Sequence, residues 1–403
     1  MPEPSQPAVV LAPPHDTIMP AYPEDKTTIP VFLGCDDNFL PHALAVIASV
    51  MAHASPENNY DLFIVQSGIP QERMNVAAEW MRRYPNATFR FVDIEPYFKS
   101  VQDTLTVTRE YSVAAFFRIF APALFSQYKR IAYLDSDIAV LGDVAEFYHF
   151  DLEGMEAGAI KDLVTVSQSQ CNQSVAEFWQ TQLGKTPGED YFFSGGLVMD
   201  LEMMRRNNTE QKILERVGKI KGSKLPDQDV MNSVLNGKVK MLPCAWNCLD
   251  WMCDEEEEAP NFLLLKEEFL HDIRAARRDV KVVHFAEKKP WTMEYRGKNA
   301  DKYWTYAAET PFYSQLLDQL RRECNPLKLW WRRLLTRMQE GHFITKQRTV
   351  PGNKRGKYEA RLRNLRWRRK GLARQKKFVE ELLRTGKIPV RRQTKIIEKG
   401  GNV

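Results

Sequence analysis

Two aspartates separated by one residue stand out as groups that could do chemistry. Asp135 and Asp137 lie in the segment YLDSDIAVLGD, directly after residues 131–134, a short apolar run typical of a buried strand. Carboxylates spaced in this way at a strand end can turn toward one hard cation. Mg²⁺ and Mn²⁺ accept such oxygen ligands and keep positions open for phosphate oxygens. Because an Asp-x-Asp pair also occurs by chance in solvated turns, the rest of the chain must decide its meaning.

Length and composition are those of a globular protein. The chain has 403 residues, of which 43% are hydrophobic, enough for a sizeable core and one or two units. No apolar run approaches the length needed to span a bilayer, and the N-terminus lacks a basic region followed by an apolar stretch. The six cysteines form no paired C-x-x-C motif, so we expect reduced thiols. These features predict a cytoplasmic protein.

The chain divides into three parts. Residues 1–27 are rich in proline and are predicted to form a disordered leader. Residues 28–325 alternate strand-like apolar runs with helical segments and are predicted to form one α/β domain. Residues 326–403 are predicted to be a basic helical C-terminal region. From residue 327 onward the chain carries 24 Lys and Arg against 5 Asp and Glu, although its total net charge is only +5.

The alternation in the middle part predicts a single Rossmann-like sheet, mixed but mostly parallel, flanked by helices. Ligands bind such sheets beyond the carboxyl ends of the strands. The first predicted strand ends near Asp36 and Asn38, and the fourth ends at Asp135 and Asp137. The chain has neither a G-x-G-x-x-G turn after the first strand nor a G-x-x-x-x-G-K-[ST] loop, so a metal ion would have to hold any phosphate groups.

Two later segments add small and polar residues. Gly195 and Gly196 precede an apolar run in DYFFSGGLVMDL, which predicts a strand that approaches another group closely, or a β-bulge. Asp227 and Gln228 stand ahead of a predicted helix in LPDQDVMN.

A histidine and two lysines follow near residue 284. His284 ends a predicted strand in KVVHFAEKKPW, and Lys288 and Lys289 come shortly after it. A lone histidine is more often structural than a ligand, but its position beside the lysines favours a ligand. Imidazole can complete a carboxylate metal site, and lysine can neutralise a phosphate.

Taken in order, these motifs resemble those of the family 8 retaining glycosyltransferases, which include bacterial lipopolysaccharide α-glucosyl- and α-galactosyltransferases and the glycogenins. The resemblance covers residues 28–311 and rests on FLGCDDNF, FFRIFAPALF, YLDSDIAVLGD, YFFSGGLVMDL, LPDQDVMN and HFAEKKPW. It implies a GT-A type fold and an Mn²⁺- or Mg²⁺-dependent enzyme. Such an enzyme would move glucose or galactose from a UDP-hexose donor to a glycan acceptor, such as lipopolysaccharide core or another lipid-linked saccharide.

The resemblance also implies a role for each matching residue. The nucleoside would be bound at the uracil edge by Asp36, at the ribose by Asn38 and on the base face by Phe39. The metal ligands would be Asp135, which also touches the ribose, Asp137 and His284. The diphosphate would be bound by Lys289 or Lys288. The donor sugar would be held by Arg118, Asp162 and Asp227, with Gln228 near the anomeric carbon.

Two departures from the family pattern concern specificity. Phe193 stands where the family usually has an asparagine that touches the sugar and acceptor region. The segment from His284 to Trp291 is one residue shorter than usual, which leaves open whether Lys288 or Lys289 binds phosphate. Neither change removes a metal ligand, so we expect an active enzyme.

The resemblance implies retention of configuration at the anomeric carbon. Retention normally indicates a carboxylate nucleophile and a covalent intermediate. Gln228 is a poor nucleophile, and Asp227 or Asp162 would need the right approach to the sugar. The residues therefore favour a front-face mechanism in which Gln228 stabilises oxocarbenium charge, a hypothesis that a glycosyl adduct on either aspartate would overturn.

The basic tail allows three interpretations. Apolar residues near one helical face of residues 327–340 are Leu327, Trp330, Trp331, Leu334, Leu335 and Met338. A basic amphipathic helix of this kind is typical of a protein bound peripherally to an anionic membrane, here the inner membrane. Alternatively, the helix packs on the catalytic domain through its apolar stripe. Nucleic-acid binding ranks lowest, because a lipid-linked acceptor explains the charge without a second function.

Other function classes use similar residues. An Asp-x-Asp pair and a metal would also suit a nucleotide-sugar hydrolase or a nucleotidyltransferase. No glycine-rich loop with a lysine lies near the first strand, which disfavours nucleotidyl transfer. A non-catalytic glycan-binding protein would not need the complete set of Asp135, Asp137 and His284.

Overall fold

Eleven strands and fifteen α-helices organise the part of the chain that the structure describes. The structure is a computed structural model, and it describes residues 8–13, 15–22, 27–101, 113–253, 262, 265–324, 326–349 and 352–389. The strands are β1 (Val10–Leu11), β2 (Thr28–Cys35), β3 (Asn59–Gln66), β4 (Ala87–Asp93), β5 (Arg130–Leu134), β6 (Ile138–Val140), β7 (Ala157–Lys161), β8 (Phe192–Asp200), β9 (Val239–Leu242), β10 (Cys248–Leu249) and β11 (Val282–His284). The helices are α1 (Leu40–Ala52), α2 (Gln71–Met81), α3 (Glu95–Val101), α4 (Ala121–Leu124), α5 (Val144–Tyr148), α6 (Leu163–Cys171), α7 (Gln173–Phe178), α8 (Leu201–Arg206), α9 (Thr209–Arg216), α10 (Pro226–Val234), α11 (Glu267–Arg278), α12 (Ala300–Ala307), α13 (Tyr313–Glu323), α14 (Pro326–Thr349) and α15 (Gly352–Thr385).

The larger sheet has eight strands within the described residues, in the order β1-β4-β3-β2-β5-β8-β7-β9. Strand β8 is antiparallel to both of its neighbours, and all the other pairs are parallel. The predicted mixed, mostly parallel sheet flanked by helices is therefore confirmed. Its parallel central strands end at one edge, where the Asp-x-Asp segment follows β5.

Helices cover both faces of this sheet, which explains why its central strands read as continuous apolar runs. Val31 and Leu33 of β2 pack on one face in a core that includes Ile47 of α1. Phe32, which points the other way, packs with Phe125 in a core on the opposite face. This alternation follows the two-residue period of a strand. With both faces covered, the strand ends remain as the place for polar side chains.

A smaller sheet of three strands, in the order β10-β11-β6, brings distant parts of the chain to the end of β5. Strand β6 begins directly after Asp137 and pairs antiparallel with β11, so that His284 lies opposite Ile138. The histidine is thereby held beside the second aspartate, although the two are far apart in the sequence.

The prediction of a disordered leader is wrong for the described residues 8–13 and 15–22. Strand β1 pairs in parallel with β4, and Arg90 Nη1 donates to the carbonyl oxygen of Met19 at 2.6 Å. Ile18 is fully buried in the core. Proline is tolerated next to an edge strand, where one side of the backbone needs no partner, so a proline-rich segment can still pack there. The remainder of the predicted leader lies outside the described residues.

The C-terminal region contains the two long helices α14 and α15, which form an antiparallel hairpin. Gln347 Nε2 donates to Glu359 Oε1 at 3.0 Å, and nearer the start of α14 Glu340 pairs with Arg366 and Arg369. The predicted basic helical extension is therefore present.

The two helices of this hairpin differ in how they meet the rest of the protein. In α15, Val379 and Leu382 are fully buried in a core shared with the main domain. Packing on the domain, predicted as an alternative for the preceding helix, is thus observed for α15. In α14, Leu335 and Met338 are 53% and 62% exposed, while the side chains of residues 325–333 lie outside the described ones. None of the described helices has the length and apolar character needed to cross a bilayer.

A buried histidine makes the stability of this fold depend on pH. The ring of His42 stacks on Trp291 with centroids 3.9 Å apart, and its Nδ1 lies 2.7 Å from the hydroxyl of Tyr303. Burial lowers the pKa of His42 to about 3, compared with about 6.5 in an unfolded chain. Because the folded state disfavours protonation, this contribution to stability is complete above pH 6.5 and is lost as the pH falls toward 3.

We therefore expect His42 to lower the free energy of unfolding by about 1.4 kcal/mol between pH 7.5 and pH 5.5. Denaturant unfolding of the wild type and His42→Phe at both pH values measures this contribution as the difference between the two proteins. Phenylalanine keeps an aromatic ring against Trp291 but cannot be protonated. The same pH dependence in both proteins would contradict the assignment.

Candidate active site

Three side chains meet at the carboxyl end of β5. The ligand atoms of Asp135, Asp137 and His284 all lie within 4.8 Å of one another. His284 Nε2 is 3.3 Å from Asp137 Oδ1 and 4.0 Å from Asp135 Oδ2. Strand β5 leads into the two aspartates, and β11 ends in the histidine. The structure thus brings together the three residues that the sequence suggested as metal ligands.

The histidine is oriented by a buried asparagine. His284 Nδ1 lies 2.8 Å from Asn247 Oδ1. An amide oxygen only accepts hydrogen bonds, so Nδ1 carries a proton, and Nε2 is the ring nitrogen that faces the carboxylates. Two carboxylates and an imidazole held in this way fit Mn²⁺ or Mg²⁺, and the asparagine is the outer partner that fixes the ring.

Replacing Asn247 by leucine is expected to weaken Mn²⁺ binding by about 10- to 100-fold. Leucine has a similar volume but offers no acceptor, so the imidazole loses the bond that fixes its tautomer. Mn²⁺ titration followed by electron paramagnetic resonance measures the affinity directly. Asn247→Asp, which keeps an acceptor oxygen, is the control and should retain binding. Equal affinities of wild type and Asn247→Leu would contradict the orienting role.

The two lysines of the segment AEKKPW point in different directions. Lys289 Nζ forms an ion pair with Asp137 Oδ2 and donates to the carbonyl oxygen of Phe285 at 2.7 Å. Lys288 Nζ pairs instead with Glu294 Oε2 at 2.5 Å. Of the two lysines that the sequence left open, Lys289 is the one in contact with the aspartate cluster.

A buried arginine connects the aspartate cluster to the start of α10. Arg118 Nη2 lies 2.9 Å from Asp135 Oδ1, and its Nε lies 3.7 Å from Asp227 Oδ2. Its Nη1 donates to the carbonyl oxygen of Ser194 at 2.5 Å, and the guanidinium lies over the ring of Tyr133, 4.4 Å from the centroid. These partners offset the cost of burying the charge.

The charged groups of this cluster shift one another's pKa values. Burial alone would raise the pKa of Asp137, but its contacts with His284 and Lys289 outweigh burial and hold that pKa below its ordinary value. Burial would also lower the pKa of Arg118, but Asp135 and its neighbours raise it. An ionised carboxylate at neutral pH is the form that a divalent cation requires.

Strand β8 passes very close to the aspartates. Asp135 N–H donates to the carbonyl oxygen of Gly195 at 2.9 Å. A Cβ atom at Gly195 would overlap Asp135 Oδ2 and lie 3.2 Å from His284 Cε1, whereas at Gly196 the nearest atom, from Ile160, would be 3.7 Å away. The close approach suggested by the sequence therefore occurs at Gly195. The pairing of β7 with β8 is also irregular, between residues 159 and 161.

Asp162, Gln228 and Asp227 form a chain of polar contacts through one serine. Gln228 Nε2 donates to Asp162 Oδ2 at 3.2 Å, and Gln228 Oε1 accepts from Ser194 N at 3.2 Å. Ser194 Oγ donates to Asp227 Oδ2 at 2.9 Å. The backbone N–H and hydroxyl of Thr165 both donate to Asp162, which caps α6. The carboxamide of Gln228 is therefore held at both ends.

The residues expected to bind a nucleoside lie in the turn between β2 and α1. Asp36 Oδ1 accepts from the N–H of Phe39 at 2.9 Å, and both Asn38 and Phe39 are exposed. This turn adjoins the aspartate segment, since Ser136 Oγ donates to the carbonyl oxygen of Gly34 at 3.0 Å. An exposed aromatic ring at a strand end offers a surface on which a base can stack.

The residue that departs from the family pattern lies beside the metal cluster. Phe193 packs edge-to-face against His284, with ring centroids 6.3 Å apart. It also packs against a group of buried apolar side chains that includes Trp251 and, from α15, Trp367. An apolar wall therefore stands where relatives are expected to have a polar amide.

Three residues of the site were missed in the sequence. Asn247 ends a 3-10 turn near two cysteines, and no motif marks it. Ser194 lies next to Gly195 inside a recognised motif, which was the available signal. Tyr133, whose hydroxyl donates to Asp135 Oδ1 at 2.7 Å, read as an ordinary strand residue.

The fold and the residues at its strand ends define a glycosyltransferase of the GT-A type. The model of glycosyl transferase family 8 matches residues 30–294, and this chain belongs to that family. General stress protein A of Bacillus subtilis (strain 168) is 24% identical over 282 residues, which cover 68% of this chain and 91% of that protein. A lipopolysaccharide 1,2-glucosyltransferase of Escherichia coli is 24% identical over 279 residues, which cover 66% of this chain and 74% of the relative. The resemblance seen in the motifs is confirmed.

Solved structures agree with this assignment. The apo structure of the bifunctional glycosyltransferase WbbM is similar with a TM-score of 0.66 and 26% identity, over 75% of this chain and 53% of that longer one. The galactosyltransferase LgtC, solved with donor and acceptor sugar analogues, is similar with a TM-score of 0.56 and 21% identity, over 70% of this chain and 96% of that one. The second likeness concerns the fold alone.

Proposed function

We propose that this protein is a metal-dependent retaining glycosyltransferase that transfers a hexose from a UDP-sugar to a glycan acceptor. The observation that carries the proposal is the group of Asp135, Asp137 and His284, with Lys289 in contact with Asp137. When bound there, Mn²⁺ or Mg²⁺ supplies positive charge next to the diphosphate that leaves. Lys289 adds a second positive charge beside the proposed position of the diphosphate.

The nucleoside half of the donor is proposed to bind in the turn after β2. Asp36 accepts a hydrogen bond from the uracil edge, Asn38 and Asp135 contact the ribose, and Phe39 stacks on the base. The exposure of the Phe39 ring and the contact between this turn and the aspartate segment support this pose.

The hexose is proposed to lie among Arg118, Asp162 and Asp227, with its anomeric carbon near Gln228. We favour a front-face reaction in which the bond from C1 to the phosphate oxygen breaks as the bond from C1 to the acceptor oxygen forms. The proton of the acceptor hydroxyl passes to the leaving phosphate oxygen. The neutral amide of Gln228 stabilises positive charge on the sugar.

The contacts of the carboxylates support this choice over a covalent intermediate. Asp227 is engaged by Ser194 and Arg118, and Asp162 accepts hydrogen bonds from Thr165 and Gln228. Burial raises the pKa of Asp162 despite those bonds. Mass spectrometry of enzyme quenched with donor should show no glycosyl adduct. An adduct on either aspartate would overturn the front-face proposal.

The acceptor is proposed to be lipopolysaccharide core or another lipid-linked glycan, at the cytoplasmic face of the inner membrane. Two observations support it: a curated relative is a lipopolysaccharide glucosyltransferase, and α14 exposes Leu335 and Met338 within a strongly basic region. Apolar residues among basic ones favour peripheral binding to an anionic membrane.

A panel of UDP-sugars, with and without Mn²⁺, tests the activity through release of UDP. We expect release from one UDP-hexose, UDP-glucose or UDP-galactose, that depends on the metal, is abolished by a chelator and increases when a lipopolysaccharide core acceptor is added. Release that no glycan acceptor increases would indicate a nucleotide-sugar hydrolase. The absence of both turnover and metal-dependent UDP binding would overturn the proposal.

A further inference from the structure

The lysine beside the metal cluster belongs to a loop that helix α15 holds in place. This loop, residues 285–299, connects β11 with α12 and is named here the lysine loop. Lys289 Nζ donates to the carbonyl oxygens of Phe285 and Ala286 in the same loop, at 2.7 and 3.3 Å, while it contacts Asp137. The position of its ammonium group therefore depends on the path of the loop backbone.

A buried glutamine of α15 bonds to that backbone on either side of Trp291. Gln375 is 2% exposed, and its Nε2 donates to the carbonyl oxygens of Pro290 and Thr292, both at 2.9 Å. Loop carbonyls that are removed from water need such partners, and one amide NH₂ group satisfies two of them here. Pro290 directly follows Lys289, so this contact, together with the bond that Trp304 Nε1 donates to the same oxygen at 3.2 Å, fixes the backbone next to the lysine.

The same helix meets the far end of the lysine loop. Arg374 Nη2 donates to the carbonyl oxygen of Arg296 at 2.7 Å. Gly371 packs so closely on the loop that a Cβ atom there would lie 2.5 Å from that carbonyl oxygen. Trp367, one turn earlier, lines a cleft together with His284. The helix is therefore in contact with the middle and the far end of the loop, and its Trp367 lines a cleft that extends to the metal cluster.

We propose that α15 is part of the active site, and that Gln375 is a positioning residue that holds Lys289 on the diphosphate through the lysine loop. The inference rests on the proposed function. It gives the basic region a role beyond membrane binding, packing on the domain or nucleic-acid binding, the three interpretations that the sequence allowed. The main-chain contacts of Gln375, Arg374 and Gly371 carry it, because they fix the loop irrespective of what the outer face of the hairpin binds.

The test measures the dissociation constant of UDP in the presence of Mn²⁺ by titration calorimetry, using the full chain. Gln375→Met keeps the length of the side chain and removes both donors, and we expect it to weaken UDP binding about tenfold. Gln347→Met is the matched control, because Gln347 lies in the same hairpin and donates to Glu359, away from the loop. It should leave the dissociation constant unchanged.

A double-mutant cycle separates positioning from a general loss of structure. If Gln375 acts through Lys289, then Gln375→Met should have no further effect on UDP binding in a Lys289→Ala background, whereas a separate structural effect would add. Gly371→Ala provides a second variant, because its Cβ would overlap the backbone of Arg296 and displace the loop. It should also weaken UDP binding.

The outcomes distinguish this inference from the proposed function. If the wild type and Lys289→Ala differ in UDP affinity while both α15 variants bind like wild type, the inference is wrong and the proposed function stands. If Gln375→Met weakens binding equally with and without Lys289, the helix acts by another route and the inference is wrong. If the wild type shows no Mn²⁺-dependent binding of UDP, the proposed function fails, and this inference fails with it.

Discussion

Replacing Asp137 by asparagine is expected to reduce metal-dependent release of UDP from the preferred UDP-hexose by more than about 100-fold. The carboxylate faces His284 Nε2 and the ammonium group of Lys289, and these contacts hold its pKa below the ordinary value. An amide of the same shape has no negative charge for the cation and directs an NH₂ group at one of its neighbours. Outer partners of metal ligands alone are worth about 10- to 100-fold, so loss of a ligand should exceed that range.

Initial rates of UDP release across a Mn²⁺ titration measure this effect. Asp143→Asn is the matched control, because Asp143 belongs to the same sequence motif but caps α5 and accepts a hydrogen bond from Tyr60 at 2.8 Å. We expect it to lower stability and leave the metal dependence of the rate unchanged. If Asp137→Asn kept the wild-type rates and metal affinity, Asp137 would not be a metal ligand and this prediction would be wrong.

Replacing Gly195 by alanine is expected to lower the same rate by about 100-fold while the protein remains folded. The added methyl group would overlap Asp135 Oδ2 and press on His284, so the aspartate must move away from the metal position. Displacement of a reacting or binding group by about 1 Å is enough for a loss of about 100-fold. Both Mn²⁺ affinity and turnover should fall, because Asp135 is proposed to contact both the metal and the donor.

The neighbouring glycine gives a matched control for this substitution. At Gly196 the nearest atom to an added Cβ is 3.7 Å away, an ordinary contact distance. Gly196→Ala should therefore keep Mn²⁺ affinity and turnover within about twofold, since alanine also suits a strand at least as well as glycine. If the two alanine variants lose activity equally, the loss comes from the strand and not from the approach to Asp135.

Much of the site could be predicted because parallel strands end at one edge of a sheet. Knowing only that Asp36 and Asp135 follow strands was enough to expect them near each other, and β2 and β5 are indeed neighbours. His284 could be added because it also ends a strand and has the right chemistry. These inferences needed periodicity and residue type, and both are local properties of the sequence.

The features that could not be predicted depend on contacts between distant segments. Asn247 orients His284 from a 3-10 turn that has no sequence signature. Which of Lys288 and Lys289 faces the aspartate cluster depends on the path of a loop, because adjacent side chains of a chain segment point in different directions. In α15 the many basic residues dominate the sequence pattern and hide Gln375 and Val379, which are buried.

The pairing of β6 with β11 has a consequence for how the chain can change in length. Since successive side chains of a strand point to opposite faces, removal of one residue from Val282–His284 would shift the pairing and turn the imidazole away from both aspartates. Removal of one residue after His284 leaves that register intact, and the shortened segment that ends at Trp291 lies on this side. We therefore expect insertions and deletions among relatives to accumulate after the histidine and to be absent from the strand before it.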